Sequence, residues 1–249
     1  FVPLNETFQE LNAICPVIHF LCDGADAPWW PKLKEFERRK QLSLTVNIDG
    51  SHYWPGGDDW LCGDASTNLY PMPDWRVENA LTLLTPLDTR VFSKQITRSY
   101  EERPYAITFA GNGGTFDRNA IIKKLATVPG FEHRPRDQNP QSYPQFVEHL
   151  QNSRVIVSVP FTGSGQARHV KGRVLETGFT GGCLLEWKNE ATAAWFDPRK
   201  DYWEYNSVEV PTQKSPMKWQ KVLPNAFMRN IARKYSGTRF FRRWGNDSL

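Results

Sequence analysis

The chain has 249 residues, 39% of them hydrophobic and 23% charged, with a formal net charge of +4. That size fits one large domain or two medium ones, and the balance is that of a soluble globular protein rather than a disordered or fibrous one. No apolar run approaches the ~20 residues that span a bilayer, and so small a charge does not mark a nucleic-acid partner. The start does not read as a secretory leader, which points to the cytoplasm, and Phe1 in place of Met leaves room for residues upstream. The cysteines at positions 15, 22, 62 and 183 are too sparse for a disulfide framework, so buried free thiols are expected. No Cys/His cluster has metal-ligand spacing, so neither a metal nor a cofactor is expected.

Residues 5–13 read as a short helix, and 16–22 (PVIHFLC) as a buried strand ending at Asp23-Gly24. Residues 29–40 read as a helix with Pro28 before it and Arg38, Arg39 and Lys40 at its negative end. A second strand at 42–48 (LSLTVNI) also runs into Asp-Gly, at Asp49-Gly50. An Asp at the carboxyl end of a parallel strand stands where open α/β sheets bind ligands. A plain turn uses the same pair, so both readings fit. Residues 51–76 hold Trp54, Trp60, Trp75, Tyr53 and Tyr70 among prolines and glycines, and read as a long irregular excursion. Those aromatic faces suit sugar rings and equally suit packing of the loop itself. A third strand at 79–84 precedes a connection between domains over 85–103.

The alternation then restarts. A strand at 105–110 (YAITFA) leads into the loop Gly111-Asn-Gly-Gly114 and an amphipathic helix at 117–127 that buries Ile121, Ile122 and Leu125. A short strand at 131–133, a helix at 143–151 and a strand at 154–159 (RVIVSV) follow. Beyond the loop Gly163-Ser164-Gly165, a helix carrying Arg168, His169, Lys171, Arg173 and Glu176 near its start is expected. A strand at 183–185 after Gly181-Gly182 and a helix at 188–196 complete the series. Strands separated by helices imply parallel βαβ units. The last 24 residues, 226–249, read as a basic helix in which Arg229, Arg233, Lys234, Arg239, Arg242 and Arg243 alternate with Phe240, Phe241 and Trp244. Such a helix packs by its aromatics with its cations solvated, or it lies on a membrane surface or polyanion.

Chemistry concentrates in two glycine loops. The dinucleotide pattern GxGxxG would need a glycine at position 116, which is Phe116, and no Walker pattern is present. Hydride-transfer and P-loop classes therefore fail on their own criteria. What remains is a small-residue loop ahead of a helix start, where exposed N–H groups attract anions. Asp117 fits the N-cap, whereas Arg118 in the first turn opposes the helix dipole and suits a bound anion. The loop Gly163, Ser164, Gly165 is followed by Arg168, His169, Lys171 and Arg173, and then by one carboxylate, Glu176. Arg173 and Glu176 stand three apart and share a helix face. They form a surface ion pair, or Arg173 meets a diphosphate while Glu176 accepts ribose hydroxyls. Cations with one carboxylate at a strand-to-helix loop suit a nucleotide-sugar.

About residues 85–205 resemble the group 1 glycosyltransferases of the spore-maturation type. The matching stretches are Leu83-Leu-Thr-Pro-Leu-Asp88, Phe109-Ala-Gly-Asn-Gly-Gly-Thr-Phe-Asp-Arg118, Lys171-Gly-Arg-Val-Leu-Glu176 with Gly181-Gly182, and Trp195-Phe-Asp-Pro198 ahead of residues 202–205. The resemblance implies the α/β GT-B fold, with two Rossmann-like domains facing a cleft. The first domain, residues 1–95, is short for a complete acceptor domain; residues 104–225 form the nucleotide-sugar domain and 226–249 the C-terminal helix. It also implies that Arg173 and Glu176 bind the donor and that Gly111, Asn112, Gly113 and Gly114 line its diphosphate. One position departs from the family: retaining members carry an acid eight residues before the second glutamate, and here that residue is Arg168.

The expected activity is sugar transfer from a nucleotide-sugar to a saccharide, lipid-linked or protein acceptor, without a metal. Arg118, Arg168, Lys171 and Arg173 would answer the charge growing on the departing diphosphate, and His169 would contact donor phosphate or sugar. An inverting reaction needs a base, for which Asp23 and Asp49 are the candidates; a retaining one leaves them to orient the acceptor. Two other classes fit: a nucleotide-sugar-binding protein without catalysis, and a basic peripheral protein docked through residues 229–249.

Overall fold

The computed structural model describes residues 5–21, 43–48, 52–53, 69–70, 80–92, 98–113, 118–135, 138, 140–161 and 168–206. By internal contacts the chain divides into two compact units. One comprises Phe1–Leu87, Pro160–Gly172 and Asn189–Ala194, the other Asp88–Val159, Arg173–Lys188 and Trp195–Leu249.

In the first unit, helix α1 (Asn5–Ile14) precedes strand β1 (Ile18–Leu21), which pairs in parallel with β2 (Leu44–Asn47). On its other edge β2 pairs in parallel with β5 (Ala80–Thr82). Val46 is the buried residue of β2, while Ile18 and Phe20 of β1 remain exposed. A separate small sheet is antiparallel. In it β3 (His52–Tyr53) lies between β4 (Leu69–Tyr70) and β9 (Arg168–His169). The 51–76 stretch, expected to be irregular throughout, thus contributes two short strands.

The second unit is an α/β fold of Rossmann-like type. Its sheet has five strands, all parallel: β6 (Tyr105–Ala110), β7 (Phe131–Arg134), β8 (Ser153–Ser158), β10 (Cys183–Trp187) and β11 (Trp203–Tyr205). Their spatial order is β7-β6-β8-β10-β11. Strands covered on both faces read as continuous apolar runs rather than alternating ones. Ile107, Phe109, Val155, Ile156, Val157, Leu184 and Leu185 accordingly are all buried. Three helices complete the βαβ units: α3 (Arg118–Leu125) after β6, α4 (Tyr143–Gln151) after β7, and α5 (Gly172–Phe179) before β10. They bury Ile121 and Leu125, Val147 and Leu150, and Val174 and Leu175. Leu150 and Ile156 pack with Ala110 in one cluster, against which Phe146 leans. Each such aliphatic side chain contributes roughly 1.5–3 kcal/mol by leaving water.

Several expectations shift. Residues 85–103 include the helical turn α2 (Thr89–Phe92), whose Phe92 is buried. The expected helix at 188–196 is one turn, α6 (Glu190–Ala193), with Asn189 as N-cap accepting the Ala191 N–H at 3.2 Å. Strand β11 was not foreseen; its three residues are all half-buried and its pairing with β10 is non-local. Arg168, His169 and Lys171 do not lie on the helix. That helix starts at Gly172, because Arg168 and His169 are drawn into antiparallel pairing with His52 and Tyr53. Of the cysteines, Cys15 is an exposed free thiol and not a buried one, since α1 ends against solvent. Cys183 is free and buried, and burial pushes its thiol up to about 12. Cys22 and Cys62, the 29–40 helix and the 226–249 helix lie outside the described residues.

Candidate functional site

The strand order of the second unit corresponds to 2-1-3-4-5 in sequence terms. The chain winds one way from β6 to β7 and the other way from β8 onward. Ligands of open α/β sheets bind outside the carboxyl ends of the strands at such a switch, here between β6 and β8. A helix joining two parallel strands runs back along the sheet, so its first turn lies at that same carboxyl edge. The starts of α3, α4 and α5 therefore gather there, and each carries polar groups.

The loop after β6 is held from below. The Gly111 N–H donates to the Arg134 carbonyl at 3.0 Å, and the Gly111 carbonyl stands 3.0 Å from Nε2 of His133. The backbone φ of Gly111 is 154°, a conformation that side chains oppose. The place where a Cβ on Gly113 would sit is taken by Oδ1 of Asn119, from the first turn of α3. A side chain at 113 would push the Asn119 side chain aside, so the glycine lets loop and helix start lie close together. The His133 ring stacks beside Phe131 and tilts against Phe109, with centroids 6.5 and 5.7 Å away. Asn112 is exposed on the loop, and Arg118 opens α3 half-buried.

Helix α4 starts at Tyr143, where the Gln145 side chain reaches back to accept the Ser142 N–H at 2.9 Å. The Tyr143 hydroxyl donates to Oε1 of Glu176 at 3.1 Å. Oε2 of the same carboxylate stands 3.4 Å from Nε of Arg173. Both side chains of this pair are sheltered, at 20% exposure for Arg173 and 12% for Glu176. The Arg173 guanidinium lies 5.2 Å over the Phe146 ring. Phe146 in turn stacks on Tyr143 at 5.9 Å, and Phe92 meets Tyr143 edge-on at 6.1 Å and Phe179 at 5.4 Å. Burial first, and then the negative charge of Glu176, raises the Tyr143 phenol above its ordinary range, so it stays protonated. His149, further along α4, goes the other way. Burial, then Arg134 and Arg173, lowers it to about 4.

In the first unit, Arg168 pairs with Glu190 at 3.1 Å and lies 5.6 Å over the Phe161 ring. His169 is buried; its N–H donates to the Pro160 carbonyl and its carbonyl accepts from Nδ2 of Asn189 at 3.1 Å. Lys171 is half-buried just ahead of α5. The structure thus sorts the expected donor-binding residues into two groups. Gly111, Asn112, Gly113, Arg118, Arg173 and Glu176 belong to the second unit, and Arg168, His169 and Lys171 to the first. Gly114, Gly163, Ser164, Gly165, Asp23 and Asp49 lie outside the described residues. Among the described residues no group of His, Cys, Asp and Glu could hold a metal ion, and no helix is long and apolar enough to cross a membrane.

Sequence reasoning passed over Tyr143, His133 and the aromatic platform of Phe92 and Phe146. The start of α4 carried a signal for the first: Ser142-Tyr-Pro-Gln145 marks a helix start, and a helix start in a βαβ unit sits at the ligand edge. Glu186 was missed as well. It is fully buried in β10, where its Oε1 accepts from the Ser158 hydroxyl at 3.4 Å.

Chemically, the carboxyl edge offers helix starts, a glycine loop, two arginines and an oriented carboxylate. Guanidinium groups and helix starts take phosphate oxygens, and a carboxylate takes paired hydroxyls. No protein-family model matches the chain, and no curated protein matches it in sequence. Among solved structures it is similar to one described as the crystal structure of GtfA/B complex. The two share 12% identity with a TM-score of 0.43, over 93% of this chain and 53% of that one. The chain spans about half the length of that structure's chain.

Proposed function

We propose that the chain is a nucleotide-sugar-dependent glycosyltransferase of the two-domain GT-B kind, with the donor nucleotide held at the carboxyl edge of the five-stranded sheet. The observation that carries this reading is the sheltered pair Arg173 and Glu176, bonded to the Tyr143 hydroxyl, beside the switch between β6 and β8. Glu176 takes the ribose hydroxyls. Arg173, Arg118 and the glycine loop after β6 take the diphosphate, whose growing negative charge they stabilise as the sugar departs. The motif series over residues 83–118 and 171–198 supports the same assignment. In this reading residues 104–225 form the donor domain, residues 1–95 face a saccharide, lipid-linked or protein acceptor, and Asp23 and Asp49 serve the acceptor hydroxyl.

The test is a melting series with nucleoside diphosphates and nucleotide-sugars. A ligand selective for the native state raises the midpoint, and at 100 times its Kd it adds about 2.7 kcal/mol. At least one nucleoside diphosphate is expected to do so, and the double variant Arg173→Ala, Glu176→Ala to lose the shift. A shift that survives in the double variant removes these residues from the donor site. Release of sugar from a bound nucleotide-sugar, with or without an added acceptor, separates transfer from mere binding.

A further inference from the structure

The Glu176 carboxylate is held at both oxygens by residues from different helices, Arg173 on α5 and Tyr143 on α4. Each carboxylate oxygen accepts two hydrogen bonds. One place on each oxygen is therefore taken, and one on each remains in the carboxylate plane. Two adjacent hydroxyls on a furanose ring match that pair. The last torsion of a glutamate is broad and roughly two-fold, so a carboxylate held at one oxygen alone swings out of this plane. Tyr143 supplies the second hold, and its own position is fixed. Its ring stacks on Phe146 and meets Phe92 edge-on, and its helix turn is closed by Gln145 and Ser142. Phe146 also carries the Arg173 guanidinium, so one ring orders both groups that grip Glu176.

We propose that Tyr143 is a positioning residue that sets the Glu176 carboxylate for a ribose diol, and thereby makes the site prefer ribonucleoside over 2′-deoxyribonucleoside diphosphates. This deepens the donor reading above and rests on it. The Tyr143 hydroxyl is spent on Glu176, so in this proposal it affects recognition of the sugar ring and leaves that of the diphosphate alone.

Titration calorimetry tests this with wild type and Tyr143→Phe. The ligands are the ribonucleoside diphosphate found in the melting series, its 2′-deoxy counterpart and inorganic pyrophosphate. Wild type is expected to bind the ribo form about tenfold more tightly than the deoxy form, the size of one hydrogen bond to a charged group. Tyr143→Phe is expected to bind both with the weaker affinity and to keep the wild-type affinity for pyrophosphate. Retained pyrophosphate binding also shows that the variant is folded with an intact anion site. Tyr143→Phe with an undiminished ribose preference overturns the proposal, and so does equal loss of all three ligands, which marks Tyr143 as scaffold. A wild type that binds nucleoside diphosphates without ribose preference overturns it too, while the donor reading stands. A wild type that binds none of the nucleotides removes both.

Discussion

His149 shows how a single buried group ties stability to pH. Its side chain is 5% exposed on the inner side of α4, its ring 4.8 Å from that of Tyr105. Burial and the nearby Arg134 and Arg173 oppose its charge, so it protonates at about 4 rather than near 6.5. Between those values the unfolded chain takes up a proton and the folded one does not, so acid favours unfolding. The stability this group contributes is complete above pH ~6.5, falls as pH drops toward ~4, and amounts to about 3 kcal/mol at most. His149→Phe keeps a ring against Tyr105. Its melting temperature, followed from pH 7 to pH 4, is expected to decline less steeply than that of wild type. Equal slopes would show that the histidine is not held neutral. Arg173 and Glu176 were legible as a pair from their spacing alone. Whether they pointed at a ligand or at water was not, because that depends on Tyr143, 33 residues away from Glu176.

Strand β8 is the central element of the five-stranded sheet, paired in parallel with both β6 and β10. Ile156 at its middle is fully buried and packs with Leu150 of α4 and Ala110 of β6. Ile156→Ala would leave a void that three elements share, and it is expected to cost about 2–5 kcal/mol in urea unfolding. A cost below about 1 kcal/mol would mean that the cluster collapses around the void. The apolar runs of β6, β8 and β10 were plain because strands covered on both faces carry no alternation to obscure them. The start of α5 was not. Arg168 and His169 have no helix-breaking residue before Gly172, and their extended form comes from pairing with His52 and Tyr53, more than a hundred positions earlier. Strand β11 escaped notice for a similar reason: three half-buried residues become a strand by adding to the edge of β10.

Across the whole molecule, protection should follow burial. Amides of β6, β8 and β10 lie inside a sheet with helices packed on it, so they open only at high free energy. Helix α1 is mostly exposed, with Leu11 at 45% and Ile14 at 82%, so few contacts resist its local opening. Hydrogen exchange is expected to be slowest in 105–110, 153–158 and 183–187 and faster by orders of magnitude in 5–14. Protection of α1 equal to that of the central strands would contradict this ranking. A bound nucleoside diphosphate should add protection at the Gly111 loop and at the first turns of α4 and α5, where the proposed donor contacts lie.

Local chemistry is written in the chain: apolar runs that must leave water, glycines where the backbone turns or is approached, cap residues, and charges set three apart. These suffice for a parallel α/β fold and mark two glycine loops as candidate anion sites. The order of the strands is different in kind, because it depends on which distant segments meet. That order places the switch between β6 and β8, brings the starts of α3, α4 and α5 to one edge, and sets a tyrosine of one helix against a glutamate of another. Spacing along the chain carries no record of such meetings. They arise when apolar faces pack, and the polar groups at the rim are carried into place with them.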